Sequence, residues 1–192
     1  KADYFNRFQR RLCTNWKSNV IVGKERQQRV TTTLAYIAIY AALNGKRVGV
    51  FTKQKMYRHF LQIIGASLSE SSISEHTLQN KGYSFPNGKI LQAGRREIQM
   101  CDLVIIDEFD HSPVESLQDF ATMRFRQNFI ATLTLREPTI RGGQKLPDQV
   151  ARLFKLLSQR RNAKYIEASS TGKRLIIQSD VRKHRQISKT YV

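Results

Sequence analysis

Runs of mostly apolar residues constrain the fold of this chain most strongly. The runs lie at residues 19–22, 47–51, 101–106 and 129–135. A strand with one face in water alternates apolar and polar residues, whereas a continuously apolar strand is typical of a parallel sheet covered on both faces. Helical patterns at 31–43 and 56–64 separate these runs. The order predicts an α/β fold, with a central, mostly parallel sheet flanked by helices.

Weaker patterns complete the predicted element order. Asn87-Gly88 between 83–85 and 90–91 is a hairpin-turn signal. Asn44-Gly45 and Gly65 are predicted to end the two helices, and 67–75 is predicted to be a loop. The remaining predictions are an amphipathic opening at 4–16, helices at 114–125 and 150–157, a loop at 136–147, and strands at 165–168 and 175–177. We expect a single domain over residues 1–192, with a flexible basic tail at 178–192.

Composition narrows the class of partner. The formal net charge is +18 and the pI is about 10.4, which favours binding to a polyanion, most often nucleic acid. A basic protein held inside a larger assembly is the alternative. The longest apolar stretch, 34–43, is too short to cross a bilayer, so no membrane partner is expected. Two cysteines without metal-ligand spacing fit an intracellular setting, and a start at Lys1 suggests a fragment or processed piece.

The apolar run that precedes Asp107 and Glu108 is the strongest functional signal. Hydrolysis of a magnesium-bound nucleotide requires one carboxylate near the metal and a second one that orients and deprotonates water. Asp107, at the end of the strand, is the predicted metal ligand, and Glu108 is the predicted catalytic base. A hydrophobic strand that simply ends in solvated acids is the alternative.

The segment between the strand at 19–22 and the following helix is the candidate phosphate-binding loop, because a helix N-terminus favours anions. It lacks the pattern G-x-x-x-x-G-K-[ST]. Two alignments are open: one places Thr31 at the magnesium-binding hydroxyl and Val30 at the lysine, and the other places Arg29 at the lysine and Val30 at the hydroxyl. Lys24, Arg26 and Arg29 could neutralise phosphate charge. A loop retained for structure alone is the alternative.

The last third of the chain is rich in basic clusters. Few acids balance them, so we expect a surface that contacts a phosphate backbone. The predicted nucleic-acid contacts are Arg160, Arg161, Lys173, Arg174, Arg182, Lys183 and Arg185.

Several segments together resemble the ATPase domain of terminase large subunits from tailed phages. Arg26-Gln27-x-x-x-Thr31-Thr32 is similar to the family's phosphate loop, R-Q-x-G-K-[ST]-T, and departs from it at Arg29 and Val30. The other matching segments, in the family's order over residues 4–136, are Phe8-Gln9-Arg10-Arg11-Leu12, Phe85-Pro86-Asn87-Gly88-Lys89-Ile90, Gly94-Arg95-Arg96, Asp107-Glu108 and Ile130-Ala131-Thr132-Leu133-Thr134.

This resemblance implies a P-loop NTPase of the RecA-like class that uses ATP and Mg²⁺ to package double-stranded DNA. It would work as a ring of identical subunits at a viral portal and capsid, in the host cytoplasm. Gln9 would contact adenine, and Thr31 with Asp107 would hold Mg²⁺. Glu108 would act as the base, with Arg26 stabilising the developing charge. The remaining predicted contacts are Lys24, Gln27, Arg29 and Thr32 for the nucleotide, and Thr132 and Thr134 for coupling.

Two rival interpretations share part of these observations. Asp107-Glu108-Phe109-Asp110 also resembles the DExD box of superfamily-two helicases, with Ala131-Thr132 similar to their S-A-T motif; this chain would then be the first of two RecA-like domains. Alternatively, the altered loop marks a P-loop module that has lost catalysis and binds nucleic acid or a viral assembly. The sequence therefore leaves open whether ATP is hydrolysed.

Overall fold

A computed structural model describes residues 6–24, 29–71, 73–79, 81–108, 127–134 and 164–168. The helices are α1 (Arg7–Thr14), α2 (Val30–Leu43), α3 (Gln54–Ser69) and α4 (Arg95–Ile98). The strands are β1 (Val20–Lys24), β2 (Arg47–Phe51), β3 (Thr77–Gln79), β4 (Gly82–Ser84), β5 (Lys89–Gln92), β6 (Leu103–Ile106), β7 (Asn128–Thr134) and β8 (Lys164–Ala168).

The eight strands form one sheet, in the order β3-β4-β5-β2-β6-β7-β1-β8. The strands from β5 to β8 in this order pair in parallel, and β3 and β4 add an antiparallel edge. The predicted α/β fold with a mostly parallel sheet is therefore confirmed. Strand β7 lies between β6 and β1, so the predicted acids and the predicted phosphate loop follow strands that are separated by one strand of the sheet.

The core explains why the runs are mostly apolar. Val104 and Ile105 of β6 have no exposed surface although their side chains point to opposite faces, as expected for a strand covered on both sides. Helix α2 packs Leu34, Ala38 and Ala41 into the same core. Among the described residues, no helix is long and apolar enough to cross a membrane.

The predicted hairpin is confirmed as the antiparallel pair β4 and β5. Its turn packs closely against the end of α2: a Cβ added to Gly88 would lie 2.2 Å from the carbonyl oxygen of Ala42 and 2.7 Å from that of Lys46. The Lys89 N–H also donates to the Lys46 carbonyl. The glycine is therefore required by the close approach of two backbones.

Helix α3 differs from the prediction at its C-terminal end. It continues past Gly65 to Ser69, so the predicted loop at 67–75 begins later. Phe60, Ile64 and Leu68 are buried at helical spacing, and this burial favours continuing the helix over stopping it. Gly65 makes room for a neighbour, because its added Cβ would lie 2.8 Å from the Tyr83 hydroxyl oxygen.

Other differences are small. Strand β3 was not predicted, and all three of its residues are exposed. The predicted elements at 114–125, 136–147, 150–157 and 175–177, and the tail at 178–192, lie outside the described residues.

Candidate nucleotide-binding site

The carboxyl ends of three neighbouring strands bring polar side chains together at one edge of the sheet. Lys24 ends β1, Asp107 and Glu108 follow β6, and Thr132 lies near the end of β7. Parallel strands place their carboxyl ends at the same edge, where α/β folds bind ligands. The N-terminus of α2 reaches this edge and adds Thr31. These five residues are called the carboxylate cluster below.

Asp107 lies at the centre of the carboxylate cluster and is 2% exposed. Its Oδ2 accepts a hydrogen bond from the Thr31 hydroxyl at 2.9 Å. Its Oδ1 accepts from the Thr132 hydroxyl at 2.7 Å, the Glu108 N–H at 3.1 Å and the Lys24 ammonium at 3.2 Å. A buried carboxylate is stable as an anion only when such donors replace water.

Lys24 is the cation of the cluster. Its side chain is 10% exposed, and Nζ lies 3.2 Å from Asp107 Oδ1 and 3.9 Å from Glu108 Oε1. The register of β1 against β7 pairs Lys24 with Thr134, at the strand ends. Lys24, at the end of β1, therefore supplies the positive charge next to the acids. Position 30, where the usual loop pattern has its lysine, is occupied by Val30.

Glu108 has an unusual backbone conformation. Its φ of 56° places it in the left-handed region, which costs a residue other than glycine roughly 1–2 kcal/mol. Its N–H donates to the Thr132 hydroxyl at 2.9 Å as well as to Asp107. This conformation turns the chain sharply at the end of β6, and the Glu108 side chain remains partly exposed at the edge of the cluster. Backbone strain of this kind concentrates at functional sites.

The first turn of α2 separates the two alignments that the sequence left open. Thr31, and not Val30, approaches Asp107; Val30 has no hydroxyl and is 2% exposed in the core. Arg29 is the N-cap residue, with a left-handed φ of 52°, and its side chain is exposed. Thr32 is half-buried in the same turn. The geometry thus favours the alignment that puts Thr31 at the metal-binding position.

Gln9 connects α1 to this turn. Its Oε1 accepts from the Asn6 N–H at 2.9 Å, and its Nε2 donates to the Thr33 hydroxyl at 3.0 Å. The Thr33 hydroxyl donates in turn to the Arg29 carbonyl. The predicted adenine contact is therefore 6% exposed and hydrogen-bonded to the start of α2.

Two threonines of this region were not identified from the sequence. Thr33 links Gln9 to Arg29, and the Thr52 hydroxyl donates to the Asp107 carbonyl at 3.2 Å. The run Thr31-Thr32-Thr33 was a signal for the first, since a helical threonine often donates to the carbonyl four residues earlier. Nothing in the sequence near Thr52 identifies its partner, which lies 55 residues away.

The remaining predicted residues fall into two groups. Thr134 is buried at the end of β7, in register with Lys24. The predicted residues outside the described part of the chain are Arg26, Gln27, Arg160, Arg161, Lys173, Arg174, Arg182, Lys183 and Arg185.

The carboxylate cluster fits a magnesium ion that is bound to the phosphates of a nucleotide. Thr31 and Asp107 offer a hydroxyl and a carboxylate, the hard oxygen donors that Mg²⁺ prefers. In the described part of the chain no group of three or more His, Cys, Asp or Glu side chains could hold a metal by itself. Mg²⁺ at nucleotide sites commonly uses few protein ligands, with phosphate oxygens and water completing its shell.

A parallel sheet that presents a lysine, a helix N-terminus and two acids at its carboxyl edge is the arrangement of a P-loop NTPase. Comparison with solved structures supports this fold. The chain is similar to the large terminase of a thermophilic bacteriophage, with a TM-score of 0.63 and 12% identity over 87% of this chain and 46% of that one. It is also similar to the same terminase in complex with ADP, with a TM-score of 0.61 and 13% identity over 86% of this chain and 45% of that one.

The chain thus has the terminase-like ATPase fold and spans less than half the length of the terminase chains that it matches. No family model and no curated protein matches the sequence.

Proposed function

We propose that this chain is the ATPase domain of a terminase-like motor that drives double-stranded DNA into a viral capsid. The observation that carries the proposal is the carboxylate cluster, in which Lys24, Thr31 and Glu108 surround Asp107 at the carboxyl edge of a terminase-like sheet. The ADP complex of a terminase with the same fold supports nucleotide as the ligand.

Lys24 and the N-terminus of α2 would bind the phosphates. The Lys24 ammonium lies 3.2 Å from one carboxylate and 3.9 Å from the other, and it would turn from them towards the γ-phosphate of an incoming nucleotide. The α2 dipole favours anions at the same place. Arg29 and Thr32, with Arg26 and Gln27, would complete the phosphate contacts.

Thr31 and Asp107 would hold Mg²⁺, which when bound neutralises charge on the phosphate oxygens. Glu108 would accept the proton of the attacking water, because its carboxylate is partly exposed while that of Asp107 is buried. Arg26 would stabilise the developing charge in cis. The Thr132 hydroxyl donates to the Asp107 carboxylate and accepts from the Glu108 N–H, so it contacts both acidic residues. Together with Thr134, it would relay the state of the site to the rest of the sheet.

The wider setting belongs to the same proposal. Gln9 would contact adenine and pass that contact to the phosphate turn through Thr33. The basic C-terminal residues named above would contact DNA. The motor would form a ring of identical subunits at a viral portal, inside the host cytoplasm.

The experiment that tests the proposal compares the wild-type chain with Glu108→Gln. We expect the variant to keep its affinity for ATP with Mg²⁺, since Glu108 is assigned no phosphate contact, and to lose about 100-fold or more in turnover. Titration with a fluorescent ATP analogue and steady-state phosphate release measure the two effects separately. Unchanged turnover in Glu108→Gln would remove the assignment.

One observation favours a second candidate function. Lys24 and Asp107 already pair with each other, so the buried carboxylate has a cationic partner without a bound ligand. A non-catalytic module that binds nucleic acid through its charge would have such a site. The binding titration separates the two candidates: an absence of nucleotide binding, with DNA binding retained, would favour the module.

A further inference from the structure

The edge of the sheet opposite the carboxylate cluster carries a row of positive side chains. This row, called the cationic edge here, consists of Lys17, Lys46, Arg47, Lys89 and Lys164. Arg47, Lys89 and Lys164 are the first residues of β2, β5 and β8, and parallel strands place their first residues at one edge. Lys46 immediately precedes β2.

Hydrogen bonds fix the remaining part of the row at this edge. The Lys17 carbonyl accepts from the side chain of Asn128, the first residue of β7, at 2.6 Å. The Lys164 ammonium donates to the Asn15 side chain at 2.9 Å. The Lys17 ammonium lies 5.4 Å from the centre of the Trp16 ring, a cation–π distance. These contacts hold the cations close to the first residues of the strands.

Two open clefts lie along the cationic edge. One, of about 310 Å³, is lined by Trp16, Lys17, Lys46, Asp102, Leu103 and Asn128. The other, of about 280 Å³, lies between the β4–β5 turn and the start of β2, and its lining includes Arg47, Ser84 and Lys89. The register places these last three side by side on adjacent strands.

The charge of the two clefts is strongly positive. Of the described residues that line them, Asp102 alone is acidic, and its carboxylate accepts the Arg47 backbone N–H at 2.8 Å. The Arg47 Nε is buried and has no hydrogen-bond partner among the described residues.

We propose that the cationic edge binds the phosphate backbone of double-stranded DNA. The choice of this polymer rests on the proposed function; the surface itself is defined by the residues above. From β5 to β8 there are five strand spacings, so the row spans about 24 Å at roughly 4.8 Å per spacing. Duplex DNA carries about one phosphate charge per 1.7 Å of its axis, so a row of this length meets several phosphates.

The position of the edge has a functional consequence. The nucleotide site and the cationic edge lie at opposite ends of the same strands, so DNA and nucleotide can bind at the same time. Strands β2 and β6 pair in parallel and run from the cationic edge, at Arg47 and Asp102, to the nucleotide site, at Asp107. A motor that holds its track while it hydrolyses ATP requires such separate sites.

Neutralisation of the edge tests the inference. In the 192-residue chain, Lys17→Gln/Lys46→Gln/Lys89→Gln is compared with Lys55→Gln/Arg58→Gln/Lys81→Gln, which removes the same charge from exposed positions on α3 and before β4. The measurement is fluorescence anisotropy of a labelled duplex at several salt concentrations. We expect the edge variant to bind about tenfold more weakly or worse, with a salt slope lower by about 3, one unit for each lost phosphate contact.

The control variant is expected to keep most of its affinity and its salt slope. Equal losses in the two variants would show that net charge alone governs binding and would overturn the inference, as would a wild-type chain that does not bind the duplex. ATP binding, measured on the same samples, should stay unchanged in the edge variant. Loss of DNA binding with intact ATP binding supports the cationic edge, whereas absence of ATP binding in the wild type refutes the proposed ATPase independently of this result.

Discussion

At the scale of single residues, Asp107 is the point where the contacts of the site converge. Three donors meet its Oδ1 and one meets its Oδ2. Three of the four donors belong to elements other than β6, which means that β1, α2 and β7 must all be in place before the carboxylate is satisfied. Mutations of these partners are therefore expected to affect both folding and activity.

Thr132→Val tests the contribution of β7. Valine keeps the shape of the side chain but removes the hydroxyl that donates to Asp107 and accepts from the Glu108 N–H. We expect a loss of about 1–3 kcal/mol in the free energy of unfolding, because Thr132 is fully buried. Turnover should fall further than ATP affinity does. Urea denaturation and steady-state kinetics measure the two effects, with the exposed Thr77→Val as the control; equal behaviour of the two variants would contradict the role of Thr132.

Cys101 predicts a dependence of stability on pH. Burial raises the pKa of this thiol from 9.0 to about 11, with smaller effects from Arg47, which lowers it, and Asp102, which raises it. A raised folded-state pKa means that the thiol stabilises the fold below pH 9 and that this contribution is lost as the pH rises towards 11. The wild type should lose more stability over this interval than Cys101→Ala in urea titrations. Parallel curves for the two proteins would contradict the burial of a neutral thiol.

The sequence identified Asp107, Glu108 and Thr31 because acidic and hydroxyl side chains at the ends of apolar elements are typical of a magnesium–nucleotide site. It identified Lys24 merely as one of three cations in the loop. The register of β1 against β7 decides which cation meets the acids, and pairing between strands more than a hundred residues apart cannot be read from local pattern. The same reason applies to Thr52, because its hydrogen-bond partner lies 55 residues away in the sequence.

At the scale of elements, the start of α2 combines strain with function. Arg29, its N-cap residue, is in the left-handed conformation and makes no side-chain capping hydrogen bond. Ser, Thr, Asp or Asn usually occupies this position, so the first N–H groups of α2 are left for another acceptor. A phosphate group is such an acceptor.

Arg29→Gly should therefore stabilise the fold and weaken nucleotide binding. Glycine removes the strain of the left-handed conformation, which is roughly 1–2 kcal/mol. It also increases the entropy of the unfolded chain, which costs about 0.5–1 kcal/mol. A net gain of about 0.5 kcal/mol in the free energy of unfolding is therefore expected. Arg29→Ala loses the same guanidinium but keeps the strain, and should gain no stability. Thermal denaturation and ATP titration of both variants give the comparison. A destabilised Arg29→Gly, or unchanged ATP affinity in both variants, would contradict this account.

Gly88→Ala tests the packing of the β4–β5 turn on α2. The new methyl group would meet two backbone carbonyls, which cannot move without shifting their elements, so a loss of about 1–3 kcal/mol is expected. Gly94→Ala is the control, since its methyl group would meet the flexible end of the Glu97 side chain. Urea midpoints that fall equally in the two variants would show that the close backbone contact is not what requires Gly88.

Elements with a strong periodic pattern were predictable and those without one were not. The strands at β1, β2, β6 and β7 were found because the middle of each is buried on both faces and hence mostly apolar. Strand β3 escaped prediction because its three residues are exposed and its pairing with β4 alone defines it. The predicted end of α3 was wrong because Gly65 was interpreted as a stop signal, whereas its contact with Tyr83 is tertiary.

At the scale of the whole molecule, the sheet separates two kinds of chemistry. The acids and Lys24 lie at the carboxyl ends of its parallel strands, and the cationic edge lies at their amino ends. The net charge of +18 indicated a polyanionic partner but gave no location for it. The location that we propose follows from the parallel strands, which carry positive residues at their starts in β2, β5 and β8. This distribution is a property of the topology and could not be obtained from composition.

In the proposed site, Lys24 replaces the lysine that is missing from position 30. The measurement is the affinity for ATP with Mg²⁺, by titration calorimetry, for the wild type, Lys24→Gln, Lys24→Arg and the exposed control Lys81→Gln. Circular dichroism verifies that each protein is folded. We predict a loss of about tenfold or more for Lys24→Gln, a smaller loss for Lys24→Arg and none for Lys81→Gln, because the phosphates need a cation at the end of β1. Wild-type affinity in a folded Lys24→Gln variant would contradict the account.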